Sequence, residues 1–518
     1  MALVYRRFVL CALVAPALAA AQSRTTVGPS RGTVIVVGGG SMGPEIYSAF
    51  IEAAGGPDAL IIDVPTAGGD TAYGQNAPGT RGWKQAGAKN VYVLHTKDKR
   101  LADTDSFAAI VRRAGGVWFE GGRQFHLVNS YGGTKTEQAF HDVLARGGVV
   151  GGSSAGASIL GDFLVRGAPS NDNFIMDYPG FEKGFAFLRG VGIDQHVVAR
   201  ERLADLADSI MPKYPSLLAI SEDEGTAWVV RGDTATIVGR NKAFVYGGKD
   251  ATDRGKPFLT LYPGDRYNLA TRHVMHRAAD ESPVASAVID SLFKKYADPA
   301  AGGATVLVAQ GGRVFVDRSF GIGDQPKYMP TTTVPQFAVG GITEVFTALC
   351  EQIPEPPARG GRGARAGGAP DSTAGRAGGR GRGGRAAGPP ATPFQACVTG
   401  RVSTPIGMHK TAATSDGMVQ SSVDELYRLS LGLENPRTFT RDTTSESGAI
   451  DLARGWHADT YKGVARWSAY GTPDGHRSAF VRIPDRRATI IVLTNDDSAD
   501  AKRMADEITN RLLIAKAR

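Results

Sequence analysis

Residues 148–158 read GVVGGSSAGAS. A short apolar run stops at two glycines and two serines, and then alanine and glycine alternate. One reading is a plain glycine-serine turn. The other takes Gly152-Ser153-Ser154-Ala155-Gly156 as G-x-S-x-G, with Ser154 held on a strand-to-helix corner. Small residues on both sides suit a turn whose backbone crowds its neighbours. A helix beginning near Ala155 would aim its first N–H groups at a developing oxyanion.

The surrounding sequence favours a corner of that kind. Over 33–160, short apolar runs (TVIVV, ALIIDVPTA, NVYVLHT, GVWFEGG, GVVGGSSAGA) alternate with amphipathic stretches such as GPEIYSAFIEAAG and TEQAFHDVLARG. This alternation indicates βαβ units and a parallel sheet covered on both faces, whose chemistry gathers beyond the carboxyl ends of the strands. Gly38-Gly39-Gly40 follows the first such run. It lacks the GxGxxG spacing of a dinucleotide site and reads better as a turn that lets backbone approach closely. Residues 217–247 continue as strands and turns, which ends the first unit near 297.

A chain of 518 residues with 42% hydrophobic and 21% charged residues has room for two or three globular units. Arg6 and Arg7, the apolar stretch 8–14 and APALAAAQ at 15–22 form an export signal cleaved after Ala21, so a secreted or periplasmic protein is expected. No other run approaches the roughly 20 apolar residues of a membrane span. The net charge of +8 is not a nucleic-acid signal. Residues 358–393 hold seven arginines against one acid, Asp371, and Arg6 and Arg7 lie in the signal, so the folded parts are close to neutral. The Pro/Gly/Arg segment 355–393 cannot build a core and is expected to be disordered. Cys350 and Cys397 bracket it. They either close a disulfide, contributing about 4 kcal/mol by constraining the unfolded chain, or stay as two buried thiols.

A nucleophilic serine needs a base, and the base an orienting acid. Asp194-Gln195-His196 ends one apolar stretch, and Glu222-Asp223-Glu224 ends another. The order Ser, His, acid differs from the Ser, acid, His order of α/β-hydrolases. No His/Cys cluster has metal-ligand spacing, and no cofactor is implied.

Four segments, EGGRQ at 120–124, GGSSAGA at 151–157, GIDQHVVARERL at 192–203 and DEGTAWVV at 223–230, resemble cyanophycinase and its relatives, the dipeptidase E family of serine peptidases. The resemblance covers about 30–297. It implies a glutamine-amidotransferase-like α/β sandwich, with Ser154 as nucleophile, His196 as base and Glu224 as third member. It further implies an oxyanion hole from the backbone near Gly122 and Ala155, and substrate binding by Gln124, Asp194, Arg200 and Arg202. The implied substrate is a cyanophycin-like polymer, aspartate bearing arginine on each side-chain carboxylate, cleaved to β-Asp-Arg. Arg123 and Asp205 depart from the family pattern, a small polar residue and a basic one being usual there. Asp-X dipeptides or another amide therefore stay open as substrates.

Residues 302–518 resemble a serine β-lactamase or penicillin-binding protein of α+β fold that has lost its chemistry. The hairpin from 304, PIGMHKTA at 405–412, GMVQSSVDELYRLSLG at 417–432 and the strands around FVRIPDRRATIIVLTN carry the likeness. Where S-x-x-K should begin a helix stands Gly341-Ile342-Thr343-Glu344. The tyrosine-containing middle motif is missing, and Ser468-Ala469-Tyr470-Gly471 replaces K-T-G. Binding, stabilisation or homodimerisation is the expected role. The rival reading of the whole chain is an inactive two-domain protein that binds peptide or cell-wall ligands.

Overall fold

The computed structural model describes residues 27–253, 256–297, 301–321, 336–353, 355, 391–434, 439 and 451–514. The export signal expected over 1–21 and residues 356–390 of the Arg/Gly segment lie outside the described residues. Among those described, no helix is long and apolar enough to cross a membrane.

The strand Thr33–Val37 lies at the centre of the first unit, and its residues Val34 to Val37 are fully buried. Full burial of one such side chain contributes roughly 1.5–3 kcal/mol. The strand pairs in parallel with Val149–Ser153, and the parallel order continues through Gly116–Phe119, Leu60–Val64 and Asn90–Val93. On its other side it pairs antiparallel with Thr226–Arg231. That strand leads on to Thr234–Gly239, Arg266–Asn268 and His273–His276, which completes a nine-stranded sheet. Helices pack on both faces, as the all-apolar strands require. The helix Lys135–Ala145 shows how: Ala139, Phe140, Val143 and Leu144 face the core, and the Thr134 side chain caps its start.

A second, five-stranded sheet places Leu188–Gln195 parallel to Leu218–Glu222. Both strands end beside the corner that follows Val149–Ser153. The three carboxyl ends therefore supply Ser154, His196 and Glu224 to one place.

The second unit is an antiparallel six-stranded sheet: Arg313–Phe320, Ala304–Gln310, Ala488–Thr494, Arg477–Ile483, Val464–Gly471 and His457–Tyr461. Its first hairpin turns at Gly311 and Gly312, both at positive φ (59° and 79°), as a two-residue hairpin turn demands. Alternation along the strands decides what covers each face. Leu307, Phe480, Ile491 and Leu493 pack under the helices Thr343–Gln352 and Val423–Gly432. Val306, Val308, Val481, Ile490 and Val492 pack under Ala501–Ile514.

One boundary differs from the sequence reading. Residues 284–297, assigned there to the first unit, bury Val284, Ile289, Phe293 and Tyr296 against the second sheet beside Met504 and Ile508. An apolar helix face shows in sequence that the segment packs, but not on which sheet. Cys350 and Cys397 are joined as a disulfide at a sequence separation of 47.

Candidate active site

Ser154 leaves the strand Val149–Ser153 at φ 57° and ψ −118°, a backbone conformation that costs a non-glycine residue of order 1–3 kcal/mol. The surroundings hold it there. Its N–H donates to the Val37 carbonyl (3.0 Å) and its carbonyl accepts from Ala157 (2.9 Å). Glycine is required on both sides: a Cβ at Gly152 would overlap the Gly156 carbonyl, and one at Gly156 would overlap the Phe119 carbonyl. Gly121 approaches from the next strand end, where a Cβ would meet Ser154 Cβ at 3.3 Å.

His196 follows Leu188–Gln195 and also sits at positive φ (55°). Its Nε2 lies 2.9 Å from Ser154 Oγ, and its Nδ1 lies 2.6 Å from Glu224 Oε1. The Gly38–Gly40 turn makes room for this line of groups. A Cβ at Gly39 would overlap the imidazole, and one at Gly40 would come 2.6 Å from Glu224 Oε2. The turn is tied on both sides, because His196 N donates to Gly38 O (3.0 Å) and Gly225 N to Gly39 O (2.9 Å).

The electrostatics favour a neutral base beside an ionised acid. Burial lowers the His196 pKa, and nearby Arg200 lowers it further, against the Glu224 hydrogen bond. Burial works to raise Glu224. Hydrogen bonds from His196 and His409 outweigh it and hold the carboxyl well below the usual range.

Three consecutive acids have three fates. Glu222 is fully buried, and burial, with Asp194 and Asp223 nearby, pushes its carboxyl up. Asp223 Oδ1 accepts the N–H groups of Val198 (3.1 Å) and Ala199 (2.9 Å), and its Oδ2 accepts from Asn241 (2.6 Å), so it fixes the turn that follows His196. Only Glu224 faces the imidazole.

The residues assigned to substrate binding divide. Asp194 is fully buried, with both oxygens taken by Arg166 in a bidentate pair at 2.8 and 2.7 Å. It is therefore not an open acceptor, which corrects the sequence expectation. Arg166 itself is 1% exposed, and it also bonds Asp205 Oδ2 (2.6 Å) and the Asn173 carbonyl. The unusual acid at 205 thus belongs to this internal guanidinium. Gln124 is buried and donates to the Val165 carbonyl (3.2 Å). Among the described residues, neither Arg200 nor Arg202 has an ion-pair partner. Burial depresses both, Arg202 to about 10, with Arg166 also acting on each. Arg123 holds the Asp172 carbonyl (3.2 Å) with one nitrogen, while its Nε and Nη1 are buried without a partner. Gly122 sits at φ 146° with its Cα against the Ala67 carbonyl, and Ala155 opens the helix, so its N–H has no intrahelical acceptor.

Arg166 and His409 escaped the sequence reading. The first follows a strand with no motif around it, and the second lies 185 residues beyond the acid it bonds.

Residues 34–238 match the model described as peptidase family S51. The chain is 28% identical over 273 residues to a cyanophycinase of Synechococcus elongatus, covering 48% of this chain and 82% of the relative. It is 29% identical over 265 residues to a cyanophycinase of Geminocystis herdmanii, covering 47% of this chain and 96% of the relative. Among solved structures it is similar to a peptidase from an acI-B1 Actinobacterium at 23% identity and a TM-score of 0.37, covering 46% of this chain and 97% of that one.

Proposed function

We propose that this chain, whose residues 34–238 match peptidase family S51, is a serine-type peptidase that hydrolyses β-aspartyl or related acidic peptide bonds through Ser154, His196 and Glu224. The observation that carries this reading is the unbroken line Ser154 Oγ–His196 Nε2–Glu224, at 2.9 and 2.6 Å. Ser154 Oγ attacks the scissile carbonyl carbon while His196 Nε2 takes its proton. The imidazolium, stabilised by Glu224, returns that proton to the leaving amine. Water then attacks the acyl-enzyme, His196 again serves as base, and Ser154 is restored. The N–H groups of Gly122 and Ala155 receive the oxyanion.

In support of an acidic substrate, Arg200 lies close enough to His196 to lower its pKa, and among the described residues neither Arg200 nor Arg202 has an ion-pair partner; a guanidinium so placed favours a substrate that bears a carboxylate. Arg166 already occupies Asp194, so a cationic side chain on the substrate finds no open acid there. This favours aspartyl substrates with a free carboxylate over an arginine-bearing polymer. Incubating the purified protein and its Ser154→Ala variant with insoluble cyanophycin, and separately with β-aspartyl and Asp-X dipeptides, tests the proposal by mass spectrometry of the products. Hydrolysis of the dipeptides by the parent alone supports it. Release of β-Asp-Arg from the polymer would identify the polymer as substrate and overturn the argument from Arg166. Activity surviving in Ser154→Ala would overturn the nucleophile.

Export belongs to the same proposal, and a mature protein beginning at Gln22 is the expected N-terminal mass. We also propose that the second unit is a non-catalytic relative of serine β-lactamases. In support, a Cβ at Gly341 would overlap the Tyr470 carbonyl, so no side chain fits where that fold would hold a nucleophile.

A further inference from the structure

The carboxylate of Glu224 is held by two imidazoles. Oε1 is 2.6 Å from His196 Nδ1, and Oε2 is 2.6 Å from His409 Nε2. His409 comes from the second unit, well past residue 238 where the family match ends.

The segment carrying His409 is fixed firmly. Glu425 Oε2 accepts the N–H groups of Lys410 (3.0 Å) and Thr411 (3.1 Å), the two residues that follow it. Glu425 Oε1 accepts from Arg428 Nη1 (2.8 Å). Arg428, 4% exposed, reaches across the junction with Nη2 to Asn241 Oδ1 (2.6 Å) and Asp223 Oδ2 (3.3 Å). Asp223 in turn holds the backbone just after His196. Two routes therefore run from the second unit to the base: through His409 to Glu224, and through Arg428 to Asp223.

We propose that His409 is a positioning residue for the serine hydrolase site, so that the appended unit completes the active site of the first. The inference rests on the reading of Ser154, His196 and Glu224 given above. Its physical basis is the geometry of a carboxylate. Bonded at one oxygen only, Glu224 would be free to twist about its last torsion and to swing away from His196. A second donor on Oε2 fixes the carboxylate plane. It thereby keeps Nδ1 of His196 protonated toward Glu224 and the Nε2 lone pair aimed at Ser154. The same donor draws electron density from Glu224 and weakens its hold on an imidazolium at 196. The charged groups around His196 are Glu224, Asp223 and Arg200, and those around His409 are Glu224, Arg428 and Glu425.

The test uses the full chain and a substrate-independent probe, phenylmethanesulfonyl fluoride. Ser154 Oγ bonds the sulfur, fluoride leaves, and His196 takes the proton. Labelling is read by intact mass and peptide mapping. His409→Ala should slow labelling by about 10- to 100-fold, the size of loss known for removing an outer partner that orients a functional histidine in metal sites. His409→Gln, whose amide can still donate to Oε2, should recover most of the rate. Ser415→Ala, at an exposed side chain elsewhere in the second unit, should match the parent. In His409→Ala the acid limb of the labelling rate should move to higher pH, since Glu224 then binds the imidazolium more strongly.

A His409→Ala rate equal to the parent's would overturn the inference. So would equal slowing in Ala and Gln variants with the acid limb in place, because that pattern belongs to loss of structure, which melting curves of the same samples would display. If the parent is not labelled at Ser154, the nucleophile reading fails and the inference fails with it.

Discussion

Two corners of this molecule start from similar material and end differently. At 154 a strand gives way to a helix among glycines and alanines, and a serine stands upright in the space they leave. At 341 a short turn also precedes a helix, Thr343–Gln352, but the Val464–Gly471 strand has closed onto the corner, and the Tyr470 carbonyl occupies the place of a Cβ. Glu344, one turn on, faces solvent. The first corner places its glycines on either side of a serine, and the second places glycine at 341 itself. Small residues therefore mark room for chemistry only when the position between them keeps its side chain.

The largest effect expected from this contrast is at the nucleophile. Ser154→Ala should lower hydrolysis by about 10⁶-fold, as loss of a nucleophilic serine does elsewhere, and abolish sulfonyl fluoride labelling at 154, so that labelling at another site would break the contrast. Next, Gly156→Ala forces a methyl group into the Phe119 carbonyl. It should cost about 3 kcal/mol or more in denaturant unfolding and abolish labelling, and retention of both would show that the corner is softer than described. Gly341→Ser should cost about 1–3 kcal/mol for the same kind of overlap, with labelling still confined to Ser154. Covalent probe found at position 341 would show that the second corner keeps its chemistry.

The smallest effect is one of pH. Burial, first, and Arg200 disfavour the imidazolium of His196 in the folded protein. The neutral base should persist as pH falls below about 6.5, the ordinary histidine value. The acid limb of the labelling rate should then lie below that value. Over the same interval the unfolded chain takes up a proton that the folded chain refuses, so His196 makes stability fall as pH drops through it. An acid limb above 6.5 would mean that Glu224 outweighs burial and Arg200.

How much of this was legible in the sequence depends on how local each feature is. The parallel strands were readable because all-apolar runs between amphipathic segments have one economical packing. Ser154, His196 and Glu224 stood out in the sequence because each closely follows an apolar run, but that two sheets, one carrying Ser154 and the other carrying His196 and Glu224, bring their strand ends together is a matter of tertiary packing. Gly38–Gly40 read as a close-approach turn because it too follows an apolar run, although what approaches it, the imidazole of His196, lies far along the chain. Asp194 was assigned to substrate through the resemblance alone, and its partner, Arg166, is set by tertiary packing that no motif announces. The end of the first unit was misplaced because 284–297 has an apolar face that fits either sheet. His409 carried no signal, since nothing in PIGMHKTA points to an acid in the other half.

Lys242 carries a consequence for how far the two halves depend on each other. Its ammonium is buried between Asp317 (2.8 Å) and Asp424 (3.1 Å), both from the second unit. Once such a charge is enclosed, stripping away its counter-ions costs on the order of 3–5 kcal/mol. A gene truncated after the peptidase half would inherit a lysine suited only to a neighbour it no longer has. The two halves are therefore not separable at no cost: the second supplies the carboxylates that the first one's buried ammonium needs.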